Sequence, residues 1–113
     1  MTTQYPDDSD GDALRRVAST GSDMTLPMEI EFPVVIADEE LAKKFSLVAA
    51  RRGFKVHLWK HDDDPDWDVV CAIEMIPTYD DVVRIQRELT SLAAPYRGCC
   101  DSWGTFGNKD QRR

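Results

Sequence analysis

Two adjacent cysteines near the end of the chain are the first residues whose chemistry needs an explanation. Cys99 and Cys100 stand in the stretch YRGCCDSWGTFGN, and no Cys-x-x-Cys pair accompanies them. Because a strand directs consecutive side chains to opposite faces, the two thiols cannot bind one metal ion without a local turn. We therefore expect one cysteine to fill the core and the other to be partly exposed. A reactive thiol beside Arg97 is the alternative.

A second pair of potential metal ligands is formed by His57 and His61. Four positions separate them, a spacing that on a helix would let both imidazoles reach one ion. The surrounding residues FKVHLWKH alternate between apolar and polar, which predicts a strand, and a strand places the two side chains roughly 13 Å apart. We therefore predict no metal site and no cofactor.

Carboxylates are abundant, and many of them cluster in two polar runs, DDSDGD at residues 7–12 and DDDPDWD at residues 62–68. General acid catalysis needs an apolar pocket that shifts the pKa of a carboxyl group, and neither run supplies one. A phosphate-binding glycine loop and a nucleophile elbow are also missing from the sequence. We predict no catalytic residues. A small enzyme or small-molecule-binding domain that uses an open sheet face remains the alternative, because catalytic triads assemble in space.

The spacing of apolar residues predicts the elements that position these groups. Alternation predicts strands at residues 28–36, 54–61 and 67–76, and helical stripes predict two long helices and a short N-terminal one. The expected N-caps are Asp10 or Asp12 for the first helix, Asp38 for the second and Thr78 for the third, which should end before Pro95. Because proline lacks an N–H group, we expect a bulge or an unpaired edge at Pro33.

The resulting order, strand, helix, strand, strand, helix, strand, predicts an α+β domain of the ferredoxin-like, split βαβ type. Its antiparallel four-stranded sheet would carry two helices on one face, and the short N-terminal helix would be an addition. The CCDSWGTFG stretch would form the closing strand and its exit turn. We expect a mobile acidic lead at residues 1–9, one domain at 10–108 and a charged tail at 109–113.

The charge of the chain bears on its partners. A formal net charge of −7 argues against direct nucleic-acid binding, which draws most of its affinity from basic side chains that neutralise phosphates. The sequence opens with acidic and polar residues, and it has no apolar run long enough to cross a bilayer. We therefore expect a cytoplasmic protein that has reduced thiols and makes no membrane contact.

The uncovered face of the predicted sheet is the candidate binding surface. On the β-hairpin, His57, Trp59 and Val70 point away from the helices. An exposed tryptophan there would anchor a protein partner, since large aromatic side chains supply much of the energy at interface centres. The alternative is that Trp59 packs flat on its own hairpin or beneath the N-terminal helix.

The stretch EMIPTYDDVVRIQRELTSLAAPYRGCCDSWGTF resembles the C-terminal half of the regulator of ribonuclease activity B (RraB) family, and the similarity extends over roughly residues 10–108. Two motifs carry it, a Met-x-Pro-Thr helix start and an Asp-x-Trp-Gly signature. The matching residues are Met75, Pro77, Thr78, Asp101, Trp103 and Gly104. Cys100 stands where the family usually has Tyr, and Ser102 where it has Gly, which puts in doubt any interface that uses that tyrosine.

The resemblance implies a noncatalytic cytoplasmic inhibitor that binds the scaffold region of ribonuclease E and modulates RNA decay without touching RNA. Asp101 and Trp103 join the candidate partner-binding residues, whereas Met75, Pro77, Thr78 and Gly104 are expected to be structural. Trp103 would plug the core and Gly104 would let the chain turn. An immunity or adaptor protein with another partner is a further alternative, and a homo-oligomer is compatible with the sequence.

Overall fold

The computed structural model describes residues 5–60, 62–63 and 65–108. Its elements follow the predicted order. They are α1 (Ser9–Ser19), β1 (Met28–Ile36), α2 (Glu39–Arg51), β2 (Lys55–Lys60), β3 (Trp67–Met75), α3 (Tyr79–Ala93), a 3₁₀ turn (Ala94–Tyr96) and β4 (Gly104–Thr105). The domain boundaries expected at residues 9–10 and 108–109 stay a prediction. His61, the expected partner in the histidine pair, lies outside the described residues.

The four strands form one antiparallel sheet in the order β2-β3-β1-β4. This confirms the α+β class, whereas the finer ferredoxin-like assignment stays a prediction. One face of the sheet packs against α2 and α3, and α1 packs against α3. Alternate residues of β1 are fully buried on the helix-covered face. The core has the side chains of Phe32 and Phe45 among its largest members.

Pro33 lies in a central strand without a bulge. It pairs with Val70 in an unbroken antiparallel register between β1 and β3. On the other side of β1, Val35 exchanges backbone hydrogen bonds with Cys99, so Pro33, two residues earlier, also turns its nitrogen to that side. There β4 pairs only with Ile30 and Glu31. The missing donor of Pro33 therefore falls in a gap of the ladder, which agrees with the expected unpaired edge.

The closing strand is shorter than the sequence suggested. Between the bridge at Cys99 and β4, the chain leaves the sheet. The backbone of Cys100 instead bonds to the side chain of Thr90 in α3. The Cys100 N–H donates to Thr90 Oγ1 at 3.0 Å, and the Thr90 hydroxyl donates to the Cys100 carbonyl at 3.1 Å. Because α3 satisfies these groups and Pro33 offers no donor, the segment has no reason to continue the ladder.

The N-caps of the two long helices are confirmed. Asp38 accepts from the Glu40 N–H, and Thr78 accepts from the Asp81 N–H. For α1 the prediction of Asp10 or Asp12 was wrong, because Asp8 caps the helix by accepting from the Gly11 N–H at 2.8 Å. Asp8 also accepts from the Tyr79 hydroxyl of α3 at 2.6 Å. The cap therefore fixes α1 to the domain as well as starting it.

Candidate functional site

The open face of the sheet carries side chains in rows set by strand register. One row runs Trp59, Asp68, Val35 across β2, β3 and β1, and Cys99 continues it through the bridge to Val35. The next row holds His57, Val70 and Pro33; the third holds Lys55, Ala72, Glu31 and Gly104; and a last pair joins Glu74 to Glu29. The face is therefore mixed towards one end of the strands, where Asp68 lies between Trp59 and Val35, and charged towards the other.

Trp59 is the most prominent side chain of this open face. It is 55% exposed, and its ring lies 6.3 Å from that of His57 in a tilted arrangement. It does not pack beneath the N-terminal helix, because α1 packs on α3, on the covered side of the sheet. Val35, in the same row, is 36% exposed. An exposed aromatic ring on the surface of a β-sheet can serve as an anchor for a protein partner.

A cavity of about 310 Å³ opens on the same face, beside the gap left by Pro33. It lies between β1, β3 and the segment that leads into β4. Its lining residues are Glu31, Pro33, Asp68, Val70, Ser102, Trp103 and Gly104. Val70, a predicted binding residue, thus lies both beside His57 and on the wall of this cavity.

Trp103 occupies a different place from Trp59. It is half-buried against the core, and its indole Nε1–H donates to Asp10 Oδ1 at 3.0 Å. The same oxygen accepts from Gln86 Nε2 at 3.0 Å. Trp103 therefore packs on the core, as expected, and also ties α1 to the C-terminal segment. Asp101 is exposed, and it lines a small hollow with Trp103 near the start of α1.

The structure thus separates the predicted binding residues into two groups. His57, Trp59 and Val70 share the open face, whereas Asp101 and Trp103 lie near the start of α1. The cavity of the open face is lined by residues of both groups, Val70 and Trp103. Their role in binding stays a prediction.

The residues of the two sequence motifs have identifiable structural environments. Pro77 is fully buried and Thr78 caps α3, while Met75 pairs in register with the buried Met28. The expectation that Gly104 lets the chain turn was wrong. Gly104 pairs with Glu31 in β4, its φ is not positive, and a β-carbon placed there would have no neighbour within 4 Å.

The cysteines show no catalytic arrangement. Cys99 is exposed and Cys100 is buried, as predicted. Burial raises the pKa of the Cys100 thiol to about 12. The pKa of the Cys71 thiol is also raised to about 12, chiefly by burial and to a smaller extent by the charge of Cys100. A thiol that stays protonated near neutral pH is a poor nucleophile and a poor metal ligand. Among the described residues, no group of three His, Cys, Asp or Glu side chains is placed to hold a metal ion.

Two buried polar side chains make contacts that had no sequence signal. Gln86 is 8% exposed and supplies one of the donors to Asp10. Asn108 is 3% exposed, accepts from the Asp23 N–H and donates to the Asp23 carbonyl, both at 2.8 Å. This amide fixes the turn before β1 to the end of the domain. Partners 85 positions apart cannot be found from local patterns.

The family model for regulator of ribonuclease activity B matches residues 7–105. This chain belongs to the RraB family. The match begins one residue before Asp8, the cap of α1, and ends at the last residue of β4. No curated protein matches the chain. None of the described helices is long and apolar enough to cross a membrane.

Membership of the RraB family carries a regulatory role with respect to ribonuclease activity, as its description states. The two motifs that pointed to the family lie within the matched range.

Proposed function

We propose that this RraB-family domain is a noncatalytic cytoplasmic regulator that binds a protein partner through the open face of its sheet. The ribonuclease E scaffold region is the proposed partner, and the consequence of binding is a change in RNA decay. The observation that carries the proposal is the uncovered sheet face with Trp59 and Val35 exposed on it. Family membership supplies the link to a ribonuclease.

The charge of the chain supports a protein partner over RNA itself. At −7, the domain repels phosphates at long range. On the open face, Lys55 is engaged with Glu29 at 2.8 Å, and Glu31 and Glu74 add further negative charge. A face of this kind favours a partner segment that combines basic and apolar residues.

The decisive experiment measures binding of the purified domain to the purified ribonuclease E scaffold region by isothermal titration calorimetry, together with inhibition of RNA cleavage. Trp59→Ala should weaken binding at least about tenfold, since central aromatic residues of interfaces commonly contribute 2 kcal/mol or more. Leu47→Ala is the matched control, because Leu47 is 61% exposed on α2, on the other side of the molecule. Normal binding by the Trp59→Ala variant would refute the proposed surface.

If the wild-type domain does not bind the scaffold region, the partner is wrong. A capture experiment from nuclease-treated lysate, run with wild-type and Trp59→Ala domains in parallel, then identifies proteins that depend on the open face. A small-molecule or enzymatic role has less support. The thiol that lines one cavity belongs to Cys100, whose pKa burial raises to about 12, so this group stays protonated near neutral pH.

A further inference from the structure

A second cavity lies between α1 and β4, at the edge of the sheet. It measures about 400 Å³, within the range of roughly 300–1,000 Å³ that ligand pockets occupy. We refer to it as the α1–β4 cavity. It is lined by one face of α1 with its C-cap and by the segment around β4; the residues are Ala13, Arg16, Val17, Thr20, Trp103, Gly104, Thr105, Phe106 and Gly107.

The backbone of β4 leaves one hydrogen-bonding residue at this edge. Because Val35 exchanges hydrogen bonds with Cys99, the backbone groups of Glu31, four residues earlier, also point towards β4. Glu31 pairs with Gly104, so the backbone of Gly104 faces β1 and that of Thr105 faces away from the sheet. Within the described residues, the Thr105 N–H and C=O have no hydrogen-bond partner. The edge therefore offers a donor and an acceptor to a further strand.

The side chains around Thr105 can receive an apolar group. Thr105 pairs in register with the buried Ile30, so its side chain lies on the helix-covered side of the sheet, towards α1. A residue paired with Thr105 in an added strand would direct its side chain to the same side. There it would meet the half-buried Val17 and Trp103, and Phe106, which is 97% exposed, lines the same cavity. Burial of this apolar surface favours binding.

The charge at the cavity is positive although the domain is acidic. Arg16 is the one charged residue among the described residues that line the α1–β4 cavity. Asp10 and Asp101 line the neighbouring hollow together with Arg16. In the part of the chain that the structure describes, Arg16 nevertheless forms no ion pair with either carboxylate or with any other. An unpaired guanidinium group at the cavity favours an acidic side chain on the ligand.

We propose that the α1–β4 cavity binds an extended segment of a protein partner, which adds as a fifth strand antiparallel to β4. An apolar residue of the segment exchanges two backbone hydrogen bonds with Thr105 and places its side chain in the cavity. An acidic residue two positions away points to the same side and pairs with Arg16. This site goes beyond the proposed function, because it lies at the sheet edge and takes a segment of opposite charge from the one expected on the open face.

The proposal is tested by nuclear magnetic resonance titration of the isotope-labelled full chain with the peptide SESLSES. The peptide should shift the amide signals of Gly104, Thr105 and Phe106 and slow hydrogen exchange at the Thr105 amide. It should bind at least about threefold more tightly than SESSSES, which lacks the apolar side chain. The peptide SRSLSRS, of opposite charge, should leave the Thr105 signal in place.

Backbone pairing is tested with two N-methylated forms of SESLSES. Methylation of the leucine nitrogen removes the donor to the Thr105 carbonyl and should weaken binding about fivefold. Methylation of the serine nitrogen just before the leucine is the matched control, because in an antiparallel pair that N–H points away from β4. Equal affinities of the two methylated peptides would overturn the strand addition.

The ion pair is tested with two variants of the protein. Arg16→Gln should weaken SESLSES binding about threefold, the worth of one exposed ion pair. Arg51→Gln removes the same unit of charge from the exposed end of α2, which packs against β2 and β3, and should leave binding unchanged. Equal effects of the two variants would show that Arg16 has no specific role.

A dilution series of the labelled chain without peptide identifies a competing occupant. Shifts at Thr105 that depend on protein concentration would assign the edge to a second copy of this chain and overturn the proposal of a partner segment. Constant signals support it. None of these measurements contains a ribonuclease, so their outcome is independent of the partner proposed for the open face.

Discussion

The contact between Asp10 and the C-terminal segment can be tested quantitatively. Asp10 Oδ1 accepts two hydrogen bonds, one from Gln86 Nε2 and one from Trp103 Nε1, each at 3.0 Å. Gln86 is nearly buried and Trp103 is half-buried. Asp10→Ala removes the acceptor of both groups. Trp103→Phe removes only the indole donor and retains most of the ring.

The expected magnitudes follow from the hydrogen bonds lost. A hydrogen bond to a charged group contributes about 1.5–3 kcal/mol, and partial exposure places these two near the lower end. We therefore expect Trp103→Phe to lower the free energy of unfolding by about 1.5 kcal/mol and Asp10→Ala by about 3 kcal/mol. For a domain of this size, these losses correspond to falls in Tm of roughly 6 °C and 12 °C.

The assay is urea unfolding at neutral pH followed by far-ultraviolet circular dichroism, on the two single variants and the double variant. Because Trp103 has no acceptor to lose once Asp10 is gone, Trp103→Phe should cost about 1 kcal/mol less in the Asp10→Ala background. Asp12→Ala is the control, since Asp12 is exposed on α1 and pairs at the surface with Arg15. Fully additive losses, or a control as damaging as Asp10→Ala, would refute the reasoning.

Three further predictions concern pH, thiols and glycines. The hydrogen bond from the Tyr79 hydroxyl lowers the pKa of Asp8 below 3.8, and the same hydrogen bond raises the pKa of Tyr79 above 10.0. The Tm advantage of wild type over Tyr79→Phe should therefore be full between pH 3.8 and pH 10.0. It should shrink as the pH falls through the folded pKa of Asp8 or rises through that of Tyr79, and a constant advantage would contradict the linkage. With Ellman's reagent near pH 8, the thiol of Cys99 should react rapidly and the two buried thiols only on unfolding; rapid reaction of all three would contradict their burial. Gly98→Ala should lower the free energy of unfolding in urea by about 1–3 kcal/mol, because a β-carbon there would lie 2.7 Å from a core side chain. Gly104→Ala should be neutral, because a β-carbon there meets no atom within 4 Å. Equal effects of the two variants would contradict this geometry.

The elements of the fold could be predicted because their signals are local. The alternation of apolar and polar residues predicted which residues of each strand share a face of the sheet. The polar residue directly before each long helix predicted the N-caps Asp38 and Thr78. The cap of α1 could not be chosen in this way. Asp8, Asp10 and Asp12 all satisfy the local rule, and the choice depends on the partners that α3 and Trp103 present to them.

The candidate site was predicted only in part for a similar reason. Strand parity placed His57, Trp59 and Val70 on one face, and the structure brings them together there. The position of Trp103 depends on how the C-terminal segment crosses the end of the sheet, which parity does not determine. The close approach at Gly98 and the clamp by Asn108 likewise arise from tertiary packing. Both lacked a signal because their partners lie far away in sequence.

The distribution of apolar residues on the open face bears on whether that face is functional. An antiparallel sheet with one solvated face is stable when that face is polar, and the rows around Lys55 and Glu29 follow this rule. Trp59 and Val35, which share one row with Asp68, do not follow it, although both side chains are exposed. If they serve only the fold, replacing both with threonine, a good strand former, should cost stability. If they serve a partner, the double variant should unfold within about 0.5 kcal/mol of wild type and lose binding, because exposed positions contribute little to the folded state.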